Sequence, residues 1–337
     1  ARAKCLTVKA FGYMELMERY TDLQDVTSTT AQGWPFYDLY KYNDPVAPKS
    51  VADSWATIKQ MLLQAVADFK AADPSNNGYT IGATNDCCYD IDAGVANYLL
   101  ARVALDMKDW STCITAASDV LSHYPTLIAP NNYGMNESNL ASVAARNSKG
   151  WNGTDYNASQ NAFYNVTKNP EVIFGSVGGS SYFSAFNTLK SGPSAYYQID
   201  ANLYNQMSDR DCRKACFLSS AFADLPIYNV NGNDTTWYHY EVPKYTNLKW
   251  AASSFMNYTN HSNAGSTADF IYMRSSAVLL MLAEAYAQNG QGTQAKAILD
   301  KLLAARTKVG AQIMTCDNTM PGKSALDMVK LQWRIEM

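Results

Sequence analysis

Histidine is scarce in this chain, with three residues in 337, at positions 123, 239 and 261. They stand far apart in sequence, and each reads as a surface or packing residue and not as a metal ligand or general base. The strings GxSxG, HExxH, GxGxxG and GxxxxGK(S/T) are also missing, so the common serine-hydrolase, metalloprotease, dinucleotide and P-loop signatures do not apply. Charge of one sign never accumulates: 27 Lys and Arg face 30 Asp and Glu, leaving a net charge of -3. Without a basic block there is no electrostatic footprint for nucleic acid or an anionic membrane surface. Long apolar runs are missing too, since the longest, AVLLMLA at 277 to 283, falls far short of the roughly 20 residues of a spanning helix. The 7 cysteines, at 5, 87, 88, 113, 212, 216 and 316, are odd in number and contain no CxxC, which excludes a complete disulfide framework and a zinc site. Unpaired thiols are expected, and no metal or cofactor is implied.

What the chain does contain is hydrophobic residues, 47% of the total, enough for a sizeable core. In MLAEAYAQNGQGTQAKAILDKLLAAR (281 to 306), Val278, Leu282, Ala285 and Tyr286 line one side of a helix while Leu279 and Ala283 line the other. That helix is apolar most of the way round and is expected to be central. Asn289 and Gly290 supply a helix stop. Then Ala295, Ile298, Leu299, Leu302 and Leu303 repeat at helical spacing, with Lys301 and Arg306 near the negative C-terminal end. A second copy lies upstream at 95 to 125: with a constant offset of 182, Leu100 and Ala101 fall on Leu282 and Ala283, and Val120 and Leu121 on Leu302 and Leu303. Helix, short turn, helix, with alanine at the crossing, is the pattern of a tetratricopeptide unit. Further helices are expected at 1 to 20, at 51 to 72 with Trp55, Ile58, Leu62, Val66 and Phe69 in register, and at 324 to 337.

From 124 to 270 the helical period fades and Asn, Gly, Ser, Thr and Tyr dominate, with strand-like pieces at 171 to 177 and 236 to 242. The expected architecture is therefore mostly α: one domain over 1–337, with a helical scaffold at 1–123 and 271–337 and a loop-rich lobe at 124–270. So long an irregular insertion is improbable unless it carries function. NVNGNDTT (229 to 236) has oxygen-bearing side chains at alternate positions, as a calcium loop would, but lacks the closing acid and reads as a turn.

The loops mix rings with amides and carboxylates. A pyranose presents an apolar C–H face that stacks on Trp or Tyr, and a hydroxyl rim that pairs with Asn, Asp, Gln or Arg. Three clusters fit: Trp34, Tyr37 and Tyr40 in WPFYDLYKYNDP; Trp151 near Tyr156 and Asp155; and Trp237, Tyr238 and Tyr240 in TWYHY. The alternatives are that these rings pack beneath their own loops, that the chain is an all-helical glycoside hydrolase with a carboxyl pair in a cleft, or that it is a tetratricopeptide peptide-binding scaffold.

In order along the chain, AKCLTVKAFGYMELMERYTDL, AGVANYLLARVALDMKDWSTCITAASDVL, NPEVIFGSV (169 to 177), the D-x-R segment in YNQMSDRDCRK (204 to 214), DFIYMRSSAVLLMLAEAYAQNGQGTQAKAILDKLLAAR and LQWRIEM resemble the SusD/RagB family of outer-membrane glycan-binding lipoproteins. The resemblance implies a mostly helical domain on tetratricopeptide-like hairpins, with no catalytic residue. It further implies a lipid-anchored protein at the outer-membrane surface that captures oligosaccharides and hands them to a SusC-like TonB-dependent transporter barrel. Both termini read as cut within helices, so the anchor is expected outside this sequence.

Overall fold

In this computed structural model the described residues are 1–37, 45–80, 90–134, 136, 162–163, 166, 169–176, 198–231, 234–249 and 270–337, with backbone alone over 222–231 and 234–242. The elements are α1 (Arg2–Tyr20), α2 (Val51–Ala72), α3 (Ala93–Asp106), α4 (Trp110–His123), β1 (Val172–Ser176), α5 (Ala201–Gln206), β2 (Phe222–Asn231), β3 (Asp234–Val242), β4 (Phe270–Arg274), α6 (Ser275–Gln288), α7 (Gly292–Ala305), α8 (Cys316–Thr319) and α9 (Ala325–Glu336). Contacts divide the chain into two compact units, one of residues 1–125 with 277–298, the other of 126–276 with 299–337.

In the first unit α1 packs on α2, α2 on α3, and α3 on α4. Helices α2, α3 and α4 begin where the sequence offers a capping oxygen. Ser50 Oγ accepts from Asp53 N at 3.1 Å ahead of α2, and Asp109 accepts from Thr112 N at 3.2 Å ahead of α4. The α2 stripe buries Trp55, Ile58 and Leu62 completely, each contributing about 1.5–3 kcal/mol of apolar burial. On α1 the buried line is Ala3, Thr7, Ala10, Met14 and Met17, so Tyr13 sits at the margin of the stripe and stays half-buried. Helix α3 is buried on nearly every side from Ala93 to Ala104, as a central helix rich in alanine allows. Beside it Tyr79 stacks on His123 at 3.7 Å and donates to Asp119 at 2.9 Å, so His123 is a packing residue.

The densest polar joint here is Asp92, which is 1% exposed. One carboxylate oxygen caps α3, accepting from Gly94 N at 2.7 Å and Val95 N at 3.1 Å. The other accepts from Thr80 N at 2.9 Å and from the Tyr124 hydroxyl at 3.2 Å. Asp92→Ala removes the cap and strands those donors, and is expected to lower unfolding free energy by about 1–2 kcal/mol in a urea melt.

The second unit holds two antiparallel pairs, β1 with β4 and β2 with β3. β1 is buried on both sides at its start, at Val172 and Ile173, and Gly175 is forced by crowding, because a Cβ there would lie 2.3 Å from Val166. β2 and β3 pair antiparallel up to Asn231 opposite Asp234; of the NVNGNDTT stretch, 229–231 and 234–236 are strand and 232–233 lie outside the described residues. β4 differs from the sequence expectation. FIYMR runs without interruption into the apolar α6 pattern, and only pairing with β1 distinguishes it as a strand. Among the cysteines, 5, 113, 212, 216 and 316 are free thiols; Cys87 and Cys88 lie outside the described residues. Among the described residues, no helix is long and apolar enough to cross a membrane.

Candidate ligand-binding site

The first aromatic cluster is built where the chain after α1 returns along the start of α2. Gln32 bridges Ser50, Gly33 N donates to Lys49 O at 2.8 Å, Lys49 N donates to Trp34 O at 3.2 Å, and Trp34 N donates to Ser54 Oγ at 3.1 Å. Gly33 is required by this approach, since a Cβ there would fall 2.3 Å from Ser54 Oγ. The backbone of 33–37 is therefore fixed, and in an extended segment residues two apart share a face. Trp34 and Phe36 both meet rings of α1: Trp34 lies 5.7 Å from Tyr20 at 32°, and Phe36 lies 4.2 Å from Tyr13 at 33°. Tyr13 and Tyr20 are seven residues apart on α1 and share its face. The Tyr13 hydroxyl also accepts from Tyr37 N at 3.0 Å.

Exposure separates two roles within this set. Phe36 is 7% exposed and anchors the segment, whereas Tyr20 is 69% and Tyr37 42% exposed; Trp34 is half-buried. Tyr20 with Trp34 thus presents a fixed ring surface to solvent. Nearby, Lys49, whose ammonium lies 5.3 Å over Phe36, begins the lining of an open groove of about 460 Å3 completed by Asp53, Ala56, Thr57 and Gln60. A ring surface beside hydroxyl, amide and carboxylate groups is the combination that a sugar's apolar face and polar rim require.

Of the other sequence candidates, Tyr40 and Trp151 lie outside the described residues. Trp237, Tyr238 and Tyr240 are on β3, opposite Tyr228, Ile227 and Leu225 of β2; their side chains lie outside the described residues as well. Sequence reasoning missed Tyr20, which ends α1 on the same spacing as Tyr13 and Met17 and so reads as a core position. It also missed a ring row on β1 and β4, where Phe270 stacks on Tyr272 at 4.3 Å and Phe174 lies 5.5 Å from Tyr272.

The motifs that carry the resemblance do something different. Glu171 of NPE, Asp211 and Arg213 of the D-x-R segment, Arg274, Arg306 and Glu336 meet in one buried charge cluster of the second unit. Arg306 Nη2 lies 2.6 Å from Glu171 and 2.8 Å from Glu336. Arg274 Nη1 lies 2.9 Å and Arg213 Nη1 3.0 Å from the same Glu336 carboxylate, and Arg213 also pairs with Asp211 at 2.6 Å. Lys249 Nζ donates to Glu336 O at 2.6 Å and sits 4.6 Å over Phe163. Burial opposes the Glu336 charge, but Arg306 and Arg274 outweigh it and hold that carboxyl well below the usual range. Burial, with Arg274 beside it, brings the Lys249 ammonium down to about 7. Around it three guanidiniums, of Arg213, Arg274 and Arg306, face three carboxylates, of Glu171, Asp211 and Glu336. Arg306 directly follows the end of α7, near the negative helix end as its position suggested, and is completely buried there as a member of this cluster.

The SusD family model matches residues 129–337, more than half of the chain and the span that contains every residue of this charge cluster. The chain belongs to the SusD family. Solved structures share its fold at low identity. A SusD-like carbohydrate binding protein from Bacteroides vulgatus is 20% identical with a TM-score of 0.60, over 99% of this chain and 59% of that one. A SusD superfamily protein from Bacteroides thetaiotaomicron is 16% identical with a TM-score of 0.62, over 99% and 63%. Surface glycan-binding protein A from Bacteroides uniformis is 13% identical with a TM-score of 0.57, over 99% and 63%. The chain thus spans about three fifths of the length of these structures. No curated protein matches it. In this SusD-family chain the signature residues are buried frame, and among the described residues no group of acids, cysteines and histidines could hold a metal ion.

Proposed function

We propose that this SusD-family chain binds oligosaccharides without transforming them, at the outer-membrane surface of a lipid-anchored protein, and passes them to a TonB-dependent transporter barrel. The observation that carries the binding step is the Tyr20–Trp34 surface, a solvent-facing ring pair held by backbone hydrogen bonds next to the Lys49, Asp53, Thr57 and Gln60 groove. Two structural neighbours, a SusD-like carbohydrate binding protein and a surface glycan-binding protein, support the ligand class. Family resemblance supports the surface location and the transporter. Few contacts on a solvated surface give weak binding, in the range of about micromolar to about millimolar. Calorimetric titration with neutral gluco-, manno-, galacto- and xylo-oligosaccharides tests this. Saturable binding with no product in the recovered sugar is expected; cleavage of any of them, or no binding to any, overturns it.

A further inference from the structure

Two carboxyl groups lie just behind the ring surface at the end of α1. Glu18 of α1 and Asp106, the last residue of α3, lie close enough for each to perturb the other's charge, with Arg102, one turn before Asp106, reaching Glu18; Glu18 Oε1 and Asp106 Oδ2 are both buried with no hydrogen-bond partner. Ionised carboxylates only accept, so two of them cannot satisfy one another without a proton between them. Arg102 reaches Glu18 and lies 3.5 Å from Glu15, which Arg19 also holds at 2.8 Å; Arg102 is the cation that acts on both Glu18 and Asp106. The remaining charged or titratable groups around the pair are Glu284 of α6, Cys113 of α4 with Asp109 at its start, Lys59 of α2 on Asp109, and Arg19 on Glu15. Burial, followed by the Glu18 charge, pushes the Asp106 carboxyl up to about 7, and burial raises Glu18 in spite of Arg102.

We propose that Glu18 and Asp106 share one proton at neutral pH, and that this proton latches the end of α1 to α3 and so holds Tyr20 in place against Trp34. The inference deepens the glycan-binding reading and rests on it for the role given to Tyr20. A carboxyl raised in the fold contributes stability that is fully present below the ordinary carboxylate range and is lost as pH rises through about 7. When the proton leaves, two anions face each other with Arg102 already engaged, and the last turn of α1 relieves the repulsion by moving away from α3. Tyr20, two residues beyond Glu18, moves with it, while Trp34 stays fixed to α2.

The test compares the unaltered chain with Asp106→Asn, whose amide N–H takes the place of the shared proton, between about pH 6 and about pH 8.5. Thermal melting is measured at each pH, together with titration by the tightest binder of the oligosaccharide panel. The unaltered chain is expected to lose melting temperature with a midpoint near pH 7 and to lose about fivefold in affinity, while Asp106→Asn shows neither change. Identical melting profiles for the two overturn the shared proton. A step in melting without one in affinity overturns the link to Tyr20. Should Asp106→Asn not fold, Glu18→Gln places the amide on the other side of the pair and is held to the same outcomes. If no oligosaccharide binds at any pH, the glycan reading fails and the shared proton stands or falls on the melting profiles.

Discussion

Glu336→Ala is expected to lower the unfolding free energy by about 3–5 kcal/mol, read as a shift of the urea midpoint at unchanged slope. The magnitude follows from what the carboxylate holds. Arg213, Arg274 and Arg306 all donate to it, Glu336 is completely buried, and its removal leaves guanidinium charge in the interior with only Glu171 and Asp211 to balance it. Exposed pairs give the contrast. Asp90 and Lys4 are each about half exposed, so Asp90→Ala is expected to cost less than about 1 kcal/mol. If the two substitutions cost the same, the cluster is not what holds the second unit.

Tyr20→Ala and Trp34→Ala are each expected to weaken oligosaccharide binding about tenfold, and the pair together about a hundredfold, at ~1.4 kcal/mol per tenfold. Each substitution removes one apolar face on which a pyranose stacks. Tyr20 is largely exposed, so its loss should leave the melting temperature unchanged and separate binding from folding. Trp34→Phe keeps a ring on the same fixed backbone and is expected to retain most of the affinity. Titration calorimetry on the four proteins checks these values. Unchanged affinity in the double variant would move ligand capture away from this surface.

The helices were legible because their signals are local. The helical spacing of Trp55, Ile58, Leu62 and Phe69, which lie three, four and seven apart, becomes the buried stripe of α2 with Ala65 in the gap and Val66 half-buried at its margin, and the all-round apolar pattern after Val278 becomes a helix buried from Ser275 to Ala283. The frame beneath the family motifs was not legible. Glu171, Arg274, Arg306 and Glu336 lie scattered over 166 positions (336 minus 171, counted inclusively), and only the fold places them within a hydrogen bond of each other. Arg306 shows the difficulty. A cation near a helix end has a sufficient local explanation in the helix dipole, and nothing in the sequence distinguishes that from burial among acids. Tyr20 was hidden for the opposite reason, because its spacing matches the core stripe while the helix ends before a neighbour covers it.

The claim that the signature residues are frame and that the ring surface takes the ligand is tested most directly by hydrogen–deuterium exchange with and without a saturating oligosaccharide from the panel. Slower exchange is expected in peptides covering 13–37 and 49–57, with no change in peptides containing Glu171, Arg213, Arg274, Arg306 or Glu336. Protection centred on those buried charges, with none at the end of α1, would contradict it.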